Sequence, residues 1–115
     1  MIEYYSNTGN ERVGFVLNTG EVVEVDNVAL QPDKAFMVST VDLMWYEGTA
    51  VATWHTHPGE SSNLSDMDYR AFYNWPHLKH YIIGKDGISA YVIKNGNLVK
   101  ADDNNCPSWV SEDPL

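Results

Sequence analysis

Asp86-Gly87 and Asn95-Gly96 each separate two short runs rich in β-branched and aromatic residues, and a chain punctuated this way is committed to antiparallel hairpins over its last third. Those runs span residues 79–83, 88–93 and 98–100. The same punctuation occurs upstream, where Asn18-Thr19-Gly20 joins 12–17 to 21–25. Residues 27–33 read as a loop containing Pro32, 36–39 as a short strand, and 40–46 as a brief helix capped by Ser39 or Thr40. A further strand is predicted over 49–57, ended by Pro58-Gly59. After the polar loop 60–63, Ser65 has the form of an N-cap with Asp68 at N3, a capping box with Asp in place of Glu. Leu64, Met67, Ala71, Phe72 and Trp75 then recur at helical spacing until Pro76 stops the run. Strands and helices therefore alternate in one α/β chain.

At 115 residues, 43% of them apolar, a single domain is expected. It covers residues 1–101, and 102–115 form an acidic, turn-rich tail expected to be disordered or docked on a partner, with Trp109 as its anchor. No apolar run approaches the ~20 residues of a membrane helix. The first seven residues lack the basic flank and apolar stretch of a signal peptide, so secretion by that route is not expected. Seven basic residues against sixteen acidic ones give a net charge of −9, with no basic cluster to neutralise phosphates, so nucleic acid is not an expected partner. One cysteine, Cys106, makes neither an internal disulfide nor a thiolate zinc site, and reads as a bystander. Any metal must be held by His and carboxylate.

Trp54-His55-Thr56-His57-Pro58 is the segment that carries chemistry. Residues two apart in a strand share a face, so His55 and His57 present both imidazoles on one side, which is half a metal site or simply a pair of histidines. Downstream, the chain loops and starts a helix whose first turn holds Asp68. A third ligand there closes a His₂Asp set with one position open for water, the arrangement of a catalytic zinc; the competing role for Asp68 is helix capping alone. Glu11, Val13, Phe15 and Leu17 share a face of the first strand, so one acid heads an apolar stripe. It is either the base that a hydrolytic site requires or an exposed charge at a strand end. Ser65 is an ordinary N-cap or, in addition, a hydrogen-bond donor to a substrate oxygen. Neutral imidazoles as ligands imply metal affinity that weakens below about pH 6.

Glu11-x-x-Gly14, His55-x-His57-Pro58 and Ser65-x-x-Asp68, with ten residues between His57 and Asp68, together resemble the signature of the JAMM (MPN-plus) metallopeptidases. The resemblance covers residues 11–100. Gly14-Phe15-Val16-Leu17, Gly20-Glu21-Val22-Val23, Asn27-Val28-Ala29 and Pro32-Asp33 before Phe36 are most similar to the JAB-type domain of tailed-phage tail-assembly proteins. The resemblance implies that His55, His57 and Asp68 bind Zn²⁺, that Glu11 is the general acid/base and that Ser65 donates to the tetrahedral intermediate. The implied fold is a mixed, curved β-sheet flanked by helices, the cytidine-deaminase-like JAMM/MPN architecture. The implied substrate is a protein or peptide, the implied partners are phage tail proteins, and the implied location is the host cytoplasm during assembly or the virion tail. Two departures are expected to matter: with ten residues before Glu11, the family's long amino-terminal helix is expected to be missing or supplied by a neighbour, and with roughly 15 residues after Lys100 no fused cell-wall hydrolase domain is expected. Without that helix, apolar surface beside the first strand is expected to be open unless Tyr4 and Tyr5 fold back over it.

Zinc deaminases are excluded because they need His-x-Glu and Pro-Cys-x-x-Cys, whereas Cys106 stands alone. PHP-type phosphoesterases share the His-x-His start but need more downstream ligands than His77 and His80 offer. The rival from another class is a non-catalytic module of a phage tail tip with a retained zinc site. Short loops favour a small or extended substrate over a folded one.

Overall fold

The structure is a computed structural model and describes residues 2–101; the expectations placed on the tail 102–115, including Cys106 and Trp109, lie outside the described residues. A 3₁₀ turn (Ile2–Tyr4) leads into β1 (Val13–Leu17), β2 (Val22–Val25), α1 (Thr40–Tyr46), β3 (Ala50–Thr56), α2 (Asp66–Phe72), β4 (Lys79–Gly84), β5 (Gly87–Lys94) and β6 (Asn97–Lys100). The strands form one sheet in the order β2-β1-β3-β4-β5-β6. Only β3 and β4 run parallel, with α2 between them in sequence; the other pairs are antiparallel, so the sheet is mixed, as expected. Among the described residues no helix is long and apolar enough to cross a membrane.

Strand alternation divides the core. Val16, Ala52, Trp54, Tyr81, Ile83 and Ala90 form a buried cluster on one face of the sheet, and Ile2, Tyr4 and Tyr5 pack against it. The Tyr4 ring lies 4.4 Å from Trp54 between centroids, so the amino-terminal residues cover the apolar surface expected to be open. On the opposite face, Leu43 and Tyr46 of α1 pack on Val13 and Phe15, and Leu64 just before α2 and Ala71 within it pack on the cluster of Phe72, Ile82 and Tyr91. Fully buried His80 sits here, its Nε2 bonded to the Trp75 carbonyl and its Nδ1 to the Thr53 hydroxyl, with its ring stacked on Phe72. A carbonyl only accepts, so His80 is the Nε2–H tautomer and Thr53 donates to Nδ1. Burial lowers its pKa to about 4, keeping this structural histidine neutral.

Three local expectations are corrected. Residues 36–39 are not a strand, because the Met37 amide and carbonyl are taken by Asn27 Oδ1 and the Val28 amide. Helix α2 ends at Phe72 and does not reach Trp75. Pro76 disfavours helical geometry at the residue before it, and the Trp75 carbonyl serves Leu78 and His80 instead. Met67, placed by its spacing on the apolar face, is 58% exposed.

Gly14 lies directly under Trp54, whose indole Nε1–H crosses it to donate to the Val23 carbonyl at 3.1 Å. A Cβ on Gly14 would lie 2.6 Å from Trp54 Nε1 and collide with the Val23 carbonyl. The glycine is therefore required by close approach, and it brings β3 into register beside β1 with Val13 opposite His55. Gly14→Ala should cost about 1–3 kcal/mol through overpacking, read as a lowered urea midpoint with altered tryptophan emission; an unchanged midpoint would contradict the close contact.

Candidate metal centre

The carboxyl end of β3 meets the start of β1. The Arg12 amide donates to Thr56 Oγ1 at 2.8 Å and the Thr56 amide to the Arg12 carbonyl at 2.9 Å. His57 lies one residue beyond the last β3 residue, yet its amide continues the ladder to the Ile83 carbonyl at 2.8 Å. His55 and His57 therefore share a face, their Nε2 atoms 3.1 Å apart and both rings buried.

The loop after Pro58 is pinned to the β4–β5 hairpin. Ser62 bonds Ser89 Oγ and the Asp86 carboxylate, each at 2.7 Å, and a Cβ on Gly84 would strike the backbone of Ser61 and Ser62. This anchoring fixes the Ser61 carbonyl, which accepts from His57 Nδ1 at 2.9 Å. Neutral His57 consequently carries its proton on Nδ1 and turns the Nε2 lone pair toward Asp68 and His55, the orientation a metal ligand needs. His55 is stacked on Phe36, 4.4 Å away between centroids, and meets Phe72 at a tilt of 60° and 5.9 Å.

Asp68 completes the convergence. Its Oδ1 lies 2.9 Å from His55 Nε2 and its Oδ2 2.9 Å from His57 Nε2. Capping and site roles are not alternatives here: Oδ2 also accepts from the Ser65 amide, while Ser65 Oγ accepts from the Asp68 amide, both at 3.1 Å. Ligand atoms about 2.0–2.1 Å from a tetrahedral zinc stand about 3.3 Å from one another. The donors observed at 2.9–3.1 Å are thus within a few tenths of an ångström of that spacing.

Glu11 is 8% exposed, which removes its reading as a solvated strand-end charge. A carboxylate oxygen of Glu11 lies within 4.8 Å of ligand atoms of His55 and His57, a buried trio able to hold a metal ion. By distance Asp68 is the closer third donor to both imidazoles, and Glu11 stands beside the set. Its Oε1 is buried with no hydrogen-bond partner among the described residues. Burial, reinforced by Asp68, Glu60 and Asp33 and opposed by His57, raises its pKa to about 7. Ser65 is exposed and lines an open cleft of about 370 Å³ with His57, Gly59, Ser61, Asn63 and Leu64. The five expected site residues thus lie in one neighbourhood. Sequence reasoning missed the supporting residues: Phe36 against His55, the Ser61 carbonyl, and Gly84 with Ser62.

Burial pushes His55 below its ordinary value against the pull of Asp68. Burial would also lower His57, but the hydrogen bond and charge of Asp68, helped by the Ser61 carbonyl and Glu11, outweigh it and hold the imidazole up to about 9. Burial would raise Asp68, and the two histidines overcome it, holding the carboxyl well below the usual range. Without metal, these shifts favour a protonated His57 beside an ionised Asp68, so an incoming metal competes with a proton on His57. The pH window accordingly moves: competition with protons begins near pH 9, not near 6. Below pH 9, apparent affinity for an added divalent metal should fall about tenfold per pH unit, with about one proton released per ion. Calorimetric titrations in buffers of different ionisation enthalpy at pH 7 check this; no proton release, with flat affinity from pH 6 to 8, would contradict it.

Comparison with known protein families and with curated proteins finds no match to this chain.

Proposed function

We propose that this chain is a zinc-dependent peptidase or isopeptidase of the JAMM type. One observation carries the reading: two imidazole Nε2 atoms and the Asp68 carboxylate converge at 2.9–3.1 Å beside a buried carboxylate whose Oε1 has no partner among the described residues. Purely structural histidines and acids in a small core do not leave such a carboxylate oxygen unsatisfied without a reason. The motif resemblance supplies the family, the zinc and the JAMM/MPN architecture, and the mixed sheet with flanking helices is consistent with it.

His55, His57 and Asp68 would hold the ion, which supplies Lewis acidity toward a carbonyl and acidifies a water molecule. Glu11 takes the proton given up by the attacking water on its carboxylate and returns it to the leaving amine, a task suited to a group that titrates near neutrality. The Ser65 hydroxyl, whose lone pair is engaged by the Asp68 amide, keeps its own proton to donate to the developing oxyanion. Phe36 and Phe72 shield His55 and keep water off that side of the site. The open cleft beside Ser65 suits an extended or small peptide, and a phage or prophage tail protein is the partner the resemblance supplies.

One observation favours a second reading, a non-catalytic tail component: α1 turns Val41, Met44 and Trp45 outward at 74%, 71% and 77% exposure, as an assembly surface would. Glu11→Gln separates the two. On a library of peptides and isopeptides, the zinc-loaded variant should turn over about 10²- to 10⁴-fold more slowly than the parent while retaining its metal. Undiminished turnover would remove Glu11 from the chemistry, and a zinc-loaded parent inactive on every substrate class would favour the assembly reading. A His55→Ala, His57→Ala double variant should lose stoichiometric zinc.

A further inference from the structure

The Glu11 carboxylate poses a positioning problem. Among the described residues Oε1 has no hydrogen-bond partner, so no bond at that atom aims it, and the backbone that carries the side chain bears on its direction. That backbone is held on both sides by one loop. The Glu11 amide donates to the Pro32 carbonyl at 2.7 Å, and the Glu11 carbonyl accepts from Asn27 Nδ2 at 2.8 Å.

Asn27 organises that loop with both ends of its side chain. Besides Glu11, Nδ2 reaches the Ala35 carbonyl at 2.9 Å and, more weakly, the Pro32 carbonyl at 3.3 Å. Oδ1 accepts from the Met37 amide at 3.0 Å and the Ala29 amide at 3.1 Å. The side chain therefore ties the mouth of the loop between Asn27 and Met37 closed, and the Val28 amide bonded to the Met37 carbonyl at 2.9 Å completes the closure. Phe36, which stacks on His55, lies between two of these anchors, Ala35 and Met37. A single amide thus fixes both the backbone that aims Glu11 and the ring that braces His55.

We infer that Asn27 is a positioning residue for this site, setting the Glu11 carboxylate and the His55 ring relative to each other through the loop it closes. The inference rests on the proposed hydrolytic reading for its catalytic consequence, but its structural core stands apart from any activity. An amide is required, because the position needs a donor toward three carbonyls and an acceptor for two N–H groups at once. Asn27→Asp keeps the acceptor and the shape but loses the donors.

The test compares Asn27→Asp with Ser39→Ala, which removes the N-cap of α1 just beyond the loop without touching the Asn27 bonds and serves as a destabilised control. In Asn27→Asp, kcat on the peptide library should fall about 10- to 100-fold with KM and zinc content unchanged, while Ser39→Ala loses stability alone. Independently of activity, NMR of the metal-free protein should show loss of the Phe36 ring-current shift on the His55 ring protons, and of Overhauser contacts between Glu11 and His57, in Asn27→Asp only. If the parent cleaves nothing, the hydrolytic reading fails and the NMR result alone decides the positioning claim. Retained ring-current shift and contacts in Asn27→Asp would overturn it. Should that variant not fold, hydrogen exchange of the parent decides: the Glu11, Ala29 and Met37 amides should open as one unit with similar protection, and independent opening of Glu11 would overturn the inference.

Discussion

The carboxylate of Asp68 accepts from the Ser65 amide while its two oxygens stand 2.9 Å from both buried imidazoles, and the rest of the site depends on that sharing. It starts α2, because the Ser65–Asp68 capping box is the helix's N-terminal stop. It also compensates the positive charge that burial would otherwise deny His57. A buried carboxylate of this kind is tolerable only with its partners in place, and removing one partner of such a pair typically costs about 3–5 kcal/mol. Helix start, histidine protonation and metal affinity are therefore coupled through one side chain.

The sheet makes this sharing geometrically available. Alternation along β3 sends Trp54 to one face and His55 to the other, so the residue that anchors the core under the amino-terminal turn immediately precedes a site residue. Gly14 permits Trp54 to lie across β1, which sets the β1–β3 register and with it the approach of Glu11 to His57. At the other side, the parallel pairing of β3 with β4 lets the intervening loop and α2 rise from the carboxyl end of β3, the place where open α/β sheets gather functional groups. Gly84 then admits the loop backbone closely enough for the Ser61 carbonyl to fix the His57 tautomer.

What the sequence made legible follows the range of the interactions. His55 and His57 are related by strand period, Ser65 and Asp68 by one helical turn, and the hairpins by their Gly turns; the structure brings these groups together where local rules place them. The capping and site roles of Asp68 looked exclusive only because a one-dimensional pattern does not show that a carboxylate has two usable oxygens. The loop from Asn27 to Met37 was illegible for a different reason. It has no periodicity, and its order comes from one asparagine bonding backbone groups up to sixteen residues away. Local pattern accordingly reads Phe36 as part of a strand, whereas its ring stacks on His55. The early end of α2 likewise reflects the distant demand of His80 on the Trp75 carbonyl.

We propose that His55, His57 and Asp68 together hold zinc. Two imidazoles and a carboxylate also suit iron(II), so metal identity and ligand set must be read together. X-ray absorption at the zinc edge of the protein purified with its native metal does this in one measurement. The proposed site requires one zinc per chain with two histidine nitrogens, seen by imidazole multiple scattering, and oxygen donors, all at about 2.0–2.2 Å. A bound metal other than zinc, a sulfur ligand, or a spectrum with no histidine scattering would contradict it.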